Sequence, residues 1–138
     1  MTAKEFLSRA YRLEQKIKVL TQELSELREL SVSISSPGFE EHYSATRNTD
    51  APFVHALEKI EEREKEIADK VVALLEIKKE ISDVISNIAN VDHRLVLHYR
   101  YVENRSWYKI GVEMNVDEST VRRWHNKALA QVKIPTEK

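Results

Sequence analysis

Asp92-His-Arg-Leu-Val-Leu-His-Tyr-Arg-Tyr101, Val102-Glu-Asn-Arg-Ser-Trp-Tyr-Lys-Ile-Gly111, Val112-Glu-Met-Asn-Val-Asp-Glu-Ser-Thr-Val121 and Arg122-Arg-Trp-His-Asn-Lys-Ala-Leu129 form one continuous stretch. Its punctuation reads as a support helix followed by a helix-turn-helix. Ser106 is placed to cap a helix that starts at Trp107, because its hydroxyl can accept from the open amides of a first turn. Trp107, Ile110 and Met114 recur at spacings of three and four and so share one face. Asn115 follows where a left-handed residue would turn the chain, a conformation Asn tolerates better than other non-glycine residues. Asp117 is expected to cap a second helix, with Glu118 in its first turn favourable to the helix dipole.

In that second helix Val121 and Trp124 face inward, with Ala128 and Leu129 completing the same side. Glu118, Ser119, Arg122, Arg123 and Asn126 are left on the outer side. Helices joined by so short a turn cross steeply, and the second then presents its N-terminal half to a partner. Base-reading residues belong in that half. Upstream, Asn90 is expected to end the preceding helix and Asp92 to cap the support helix that carries Leu95, Val96, Tyr99 and Tyr101.

The first 91 residues have a different grammar. Phe6, Ala10, Leu13, Ile17, Leu20, Leu24, Leu27, Ser31 and Ile34 alternate at spacings of four and three, which is a heptad seam over four repeats. The apolar stripe is narrow, which favours a coiled coil over a helix lying on a globular core. Ser35-Ser36-Pro37-Gly38 stops it. A stretch without period follows to Asp50, and a loop is expected at about 35–50. His42, Tyr43 and Arg47 are potential contact residues there, but a solvated connection is the plainer reading.

Thr49 or Asp50 is expected to cap the next helix, with Pro52 in its first turn. Its seam is read as Phe53, Leu57, Ile60, Glu64, Ile67, Val71, Leu74, Lys78, Ile81, Ile85 and Ile88, with Glu64 and Lys78 as polar interruptions. Two seams joined by a loop predict an antiparallel coiled-coil hairpin. Leu13, Ile17, Leu20, Leu24 and Leu27 would face Leu57, Ile60, Ile67, Val71, Leu74 and Ile81. Beyond Val71 the stripe widens to include Val72, Leu75, Ile77 and Val84. A two-helix contact cannot cover that width, so this end is expected to pack on the C-terminal domain or on a second subunit.

The expected fold is therefore all-α: a long antiparallel coiled-coil hairpin over 1–91, then a helix-turn-helix domain over 92–138. Two glycines, three prolines and one-third charged residues in 138 are the composition of long helices. With no cysteine, neither disulfides nor thiolate metal sites are available. No apolar run approaches a membrane span or a signal-peptide core, so a cytoplasmic protein is expected. The net charge is −1, but its distribution is uneven. Residues 92–138 hold nine Lys or Arg against six Asp or Glu, whereas 1–91 hold thirteen against seventeen. A basic C-terminal third on an acidic remainder suits a DNA reader on a stalk.

Leu95-Val96-Leu97-His98-Tyr99-Arg100-Tyr101, Ser106-Trp107-Tyr108-Lys109-Ile110-Gly111, Ser119-Thr120-Val121-Arg122-Arg123 and Lys127-Ala128-Leu129 resemble the fourth conserved region of bacterial sigma factors. That module binds the upstream promoter element through a helix-turn-helix. With coiled-coil helices in front, the whole chain is similar in pattern and order to phage and prophage transcriptional regulators of the ArpU and RinA type. Gly111 departs from the Ala usual in sigma factors, and Asn115 from the usual Gly. The promoter-melting part of a sigma factor has no counterpart in the chain.

The resemblance implies that Glu118, Ser119, Arg122 and Arg123 face the major groove and that Lys127 lies toward the backbone. Helix geometry selects nearly the same set and adds Asn126. An Arg fork on guanine, at Arg122 or Arg123, is worth about 1 to 3 kcal/mol of discrimination. Arg105, Ser106 and Lys109, where the first helix of the pair begins, are expected to contact phosphates. Trp107 and Trp124 fall on the inward face and are expected in the core rather than against bases.

An enzyme is not expected. His42, His55, His93, His98 and His125 include no pair at the spacing of four used by helical metal sites, and glycine-rich phosphate loops and nucleophile elbows are absent. Neither a cofactor nor a small-molecule substrate is expected. The favoured function is a sequence-specific regulator of phage or prophage genes in a bacterial host. Its partners would be double-stranded DNA, with the coiled coil dimerising or contacting RNA polymerase. The alternatives are a DNA-packaging protein resembling a small terminase subunit and a coiled-coil adaptor that binds no DNA.

Overall fold

The structure, a computed structural model, describes residues 1–34 and 50–135. The expected helix stop at Ser35–Gly38, the side chain of Ile34, the loop residues His42, Tyr43 and Arg47, and the cap at Thr49 lie outside the described residues. The fold is all-α, with no strand among the described residues. Helix α1 spans Ala3–Ile34 and α2 spans Asp50–Ser86. The short α3, Val91–Leu97, runs into a π-helical turn over His98–Val102. Helices α4, Trp107–Met114, and α5, Glu118–Gln131, complete the chain.

Capping residues set where these helices begin. The Thr2 hydroxyl accepts from the backbone N–H of Glu5 at 3.1 Å, and the Glu5 carboxylate accepts from the N–H of Thr2 at 3.4 Å. This reciprocal box satisfies two of the amides that open α1. At α3 the cap is Asn90, whose side chain accepts from the N–H of His93 at 3.1 Å. Asp92 was the expected cap, but it sits in the first turn, where its charge favours the helix dipole. Correspondingly, α2 ends at Ser86 rather than at Asn90.

The chain divides into two compact units. One comprises Gln15–Val72, formed by parts of α1 and α2. Leu20, Leu24, Ala56 and Ile60 are buried in it, and Leu13, Ile17 and Leu27 of the expected α1 seam are half-buried in the chain. Arg28 pairs with Glu64 at 3.4 Å and Arg63 with Glu23 at 3.5 Å. The first pair is exposed and the second partly so, and each is worth at most about 1 kcal/mol.

The seam of α2 differs from the expected one. The row Phe53, Ile60, Ile67 is at least half-buried, but the flanking row that turns inward is Ala56, Arg63 and Lys70. Leu57 is 41% exposed, Val71 37%, and Glu64 lies outside as well. Arg63 tolerates this position because a long aliphatic stem can lie along apolar surface while its guanidinium reaches Glu23 and Glu66.

The other unit joins Met1–Glu14 to Ala73–Lys138. The end of α2 whose apolar stripe widens thus shares a core with the C-terminal helices: Ile81, Val84 and Ile85 are buried, with Ile88 just beyond the helix, and so are Phe6, Leu7 and Ala10 of α1. Val72 and Leu75 stay exposed. Arg9 meets Glu80 at 2.7 Å and Glu14 meets Lys78 at 3.7 Å, so α1 and α2 run in opposite directions here. The Glu14 carboxylate also accepts from the side-chain amide of Asn104. The first turns of α1, read from sequence as part of the stalk, belong to the unit that carries α3 to α5.

Candidate nucleic-acid interface

Three fully buried residues on three helices, Val96 of α3, Ile110 of α4 and Val121 of α5, anchor the C-terminal core. Tyr99, Trp107, Met114, Val116 and Trp124 pack around them, so both tryptophans face inward as their spacing indicates. Full burial of side chains this size contributes about 1.5 to 3 kcal/mol each, enough to fix α5 against its two supports.

The connection between α4 and α5 is made by residues with specific backbone roles. Ser106 accepts from the N–H of Lys109 at 3.2 Å and caps α4. Asn115 ends it at φ 58°, ψ 42°, in the left-handed region. The N–H of Val116 then returns to the carbonyl of Gly111 at 3.0 Å. Gly111 leaves room for this: a Cβ there would stand 2.8 Å from the carbonyl oxygen of Val116. Asp117 occupies the N-cap position of α5 with extended backbone, but its side chain makes no capping hydrogen bond.

On the other side of α4 the π-helical turn reshapes the chain. The N–H of Glu103 reaches back five residues to His98 at 3.2 Å, and Asn104 has a positive φ of 54°. Inserting a wider turn rotates the following side chains relative to an α-helix. Tyr101 is thereby buried, with its hydroxyl 2.6 Å from Nε2 of His125 on α5. The edge of His125 meets Trp107, with ring centres 4.7 Å apart. Burial pushes the His125 pKa down to about 4, and the nearby charges of Arg100 and Lys4 add to the effect. Burial likewise raises that of Tyr101. Both groups are neutral at pH 7 and lock α5 to the π turn.

The outer face of α5 carries the residues selected from sequence. Glu118, Ser119, Arg122, Arg123, Asn126 and Lys127 are all exposed. Arg122 lies 3.5 Å from Glu118 one turn earlier, whereas Arg123 makes no ion pair among the described residues. Lys109 is also exposed, and Ser106 is exposed with its hydroxyl engaged in the cap. Arg105 is placed differently from its expected phosphate role. It is half-buried, pairs with Glu103 at 2.8 Å and Glu113 at 3.7 Å, and lies over the Tyr99 ring at 4.7 Å. Its charge is compensated within the fold, so it braces the start of α4.

Sequence reading singled out neither His125 nor Arg100. Arg100 donates to the carbonyl of Arg105 at 3.0 Å and stacks over Trp107 at 4.2 Å. Neither is visible as a local pattern, since both acquire their roles from other elements. Among the described residues no group of three His, Cys, Asp or Glu could hold a metal ion, and no helix is long and apolar enough to cross a membrane.

No match was found among curated proteins or among solved structures. A family model, described as protein of unknown function (DUF722), matches residues 9–133, nearly the whole chain, and the protein belongs to that family.

Proposed function

We propose that the protein is a sequence-specific DNA-binding transcriptional regulator of phage or prophage genes that works in the cytoplasm of a bacterial host. In this reading α4 and α5 are a sigma-like helix-turn-helix, and α1 and α2 are an antiparallel coiled-coil hairpin that dimerises or contacts RNA polymerase. The observation that carries the reading is the exposed row Glu118, Ser119, Arg122, Arg123 and Asn126 on α5, next to a tight left-handed turn at Asn115. A helix so presented enters the major groove with its N-terminal half at the base edges, while the helix before it crosses the backbone.

Arg123 then reads a base and Arg122 acts together with its neighbour Glu118. Lys109 and Lys127 contact phosphates and fix orientation, without sequence information of their own. The chain performs no catalysis and needs no cofactor. The test is a selection of bound genomic fragments at two salt concentrations, with Arg123→Ala beside the wild type. A recovered motif is expected, and Arg123→Ala should lose about 1 to 3 kcal/mol on that motif while nonspecific binding falls much less. Equal losses on both would leave Arg123 only a phosphate contact. No motif at all would defeat the sequence-specific reading.

A further inference from the structure

The start of α1 closes one side of a cavity of about 390 Å3 that opens beside the beginning of α4. Lys4, Ser8 and Tyr11, on successive turns of α1, form one wall; Arg100, Asn104 and Ser106 stand on the other. The lining is rich in donors and carries two positive charges. Neither Lys4 nor Arg100 has a carboxylate within ion-pair distance among the described residues. The acids nearby are committed elsewhere: Glu14 to Lys78 and Asn104, Glu103 to Arg105 and His98, and Glu5 to the cap of α1. Arg100 is held in place by Trp107 and by the carbonyl of Arg105, so its charge is positioned in advance.

We propose that this cavity receives one phosphate of the DNA backbone, with Lys4 and Arg100 as its charge partners and the hydroxyl of Ser8 as a further donor. The inference rests on the DNA-binding reading and extends the interface to α1, about a hundred residues away in sequence from the recognition helix. The site lies where that reading puts the backbone. The helix before the recognition helix crosses the phosphates, and α4 begins at the cavity wall, adding the partial positive charge of its first turn. A phosphodiester fits the chemistry better than a carboxylate ligand, because donors surround the space on two sides and an anion with several acceptor oxygens can meet them together.

Lys4→Gln is the cleanest variant, since Lys4 is exposed and holds no other group in place. Binding of the full chain to a short mixed-sequence duplex is measured against salt concentration, beside Lys18→Gln, an exposed lysine of the same helix that does not line the cavity. Loss of one phosphate contact lowers the slope of log K against log salt by about 0.9 and weakens binding roughly eightfold at 0.1 M salt. Lys18→Gln should leave both unchanged, and Lys4→Arg should restore them. In parallel, inorganic phosphate is titrated into the protein without DNA, and the amide signals of Ser106 and Trp107 are followed by NMR. They are expected to shift in the wild type and not in Lys4→Gln.

An unchanged slope in Lys4→Gln, with the wild type binding duplex normally, overturns the cavity assignment and leaves the DNA reading standing. Phosphate shifts without duplex binding by the wild type overturn both the DNA reading and DNA as the occupant, leaving a site for a free anion. Neither shifts nor duplex binding removes both.

Discussion

The described residues of Gln15–Val72, which lie on α1 and α2, and the stretch from Val91 to Gln131 are both mainly helical, yet they are specified in different ways. In the first, the same few residue types recur, and among the described residues no position has a positive φ or a cis peptide bond. In the second, nearly every turn depends on one residue: Ser106 opens a helix, Asn115 closes it, and Gly111 lets the chain pass. Repetition tells a helix that it must pair, but it says little about which flank faces the partner. On α2 the central row holds, while Ala56 and Arg63 turn inward where the spacing assigns Leu57 and Glu64. Punctuation residues leave less choice, because a wrong placement meets a steric or hydrogen-bonding penalty at once.

The contrast is tested most strongly by removing one apolar side chain from each region. Ile110 is fully buried between α3 and α5, so Ile110→Ala should cost about 2 to 5 kcal/mol in chemical denaturation. Leu57→Ala, on a side chain 41% exposed, should cost less than about 1 kcal/mol. A loss at Leu57 as large as that at Ile110 would mean that Leu57 is covered in solution. The solution mass of the two proteins would then show whether a second copy covers it.

A difference of about 3 kcal/mol is expected from acid. His125 has a folded pKa of about 4 against an ordinary value of 6.5, so between these values the unfolded chain binds a proton that the folded chain refuses. Stability is therefore unaffected by this group above pH 6.5 and falls as the pH drops toward 4, by about 3 kcal/mol in all. His125→Gln should start less stable at pH 7, having lost its bond to Tyr101 and its packing on Trp107, but should lose less on acidification. Parallel pH profiles for the two proteins would show that the acid sensitivity arises elsewhere.

The same contrast explains what could be read in advance. The start of α4 at Ser106, its end at Met114 and the left-handed Asn115 all match the sequence reading, because each follows from a residue whose local chemistry has few uses. The exposed face of α5 followed from periodicity once its start was placed. Asn90 and Asp92 illustrate the limit, since both are good caps and stand two residues apart. The π turn carries no Gly or Pro to announce it, and it holds the Tyr101 that meets His125. Arg105 looks from sequence like a phosphate contact, and its pairing with Glu103 and with Glu113 of the last turn of α4 turns it into a brace. Lys4 and Arg100, almost a hundred residues apart in sequence, line one cavity, which no local pattern encodes.

Gly111 provides the finest test, because two effects of similar size oppose each other there. Replacing a helical glycine by alanine normally stabilises a helix by up to about 1 kcal/mol, since less backbone freedom is lost on folding. At Gly111 the added Cβ would sit 2.8 Å from the Val116 carbonyl oxygen, a backbone atom that cannot rotate away. Relief requires the turn to open, which loosens the return bond from the Val116 N–H to the Gly111 carbonyl and moves the start of α5. Overpacking of this kind costs about 1 to 3 kcal/mol, so Gly111→Ala should be destabilised by about 1 kcal/mol net, seen as a thermal midpoint a few degrees lower. A raised midpoint would mean that the turn opens freely. The placement of α5 would then rest on its apolar core alone, as the helices of Gln15–Val72 rest on theirs.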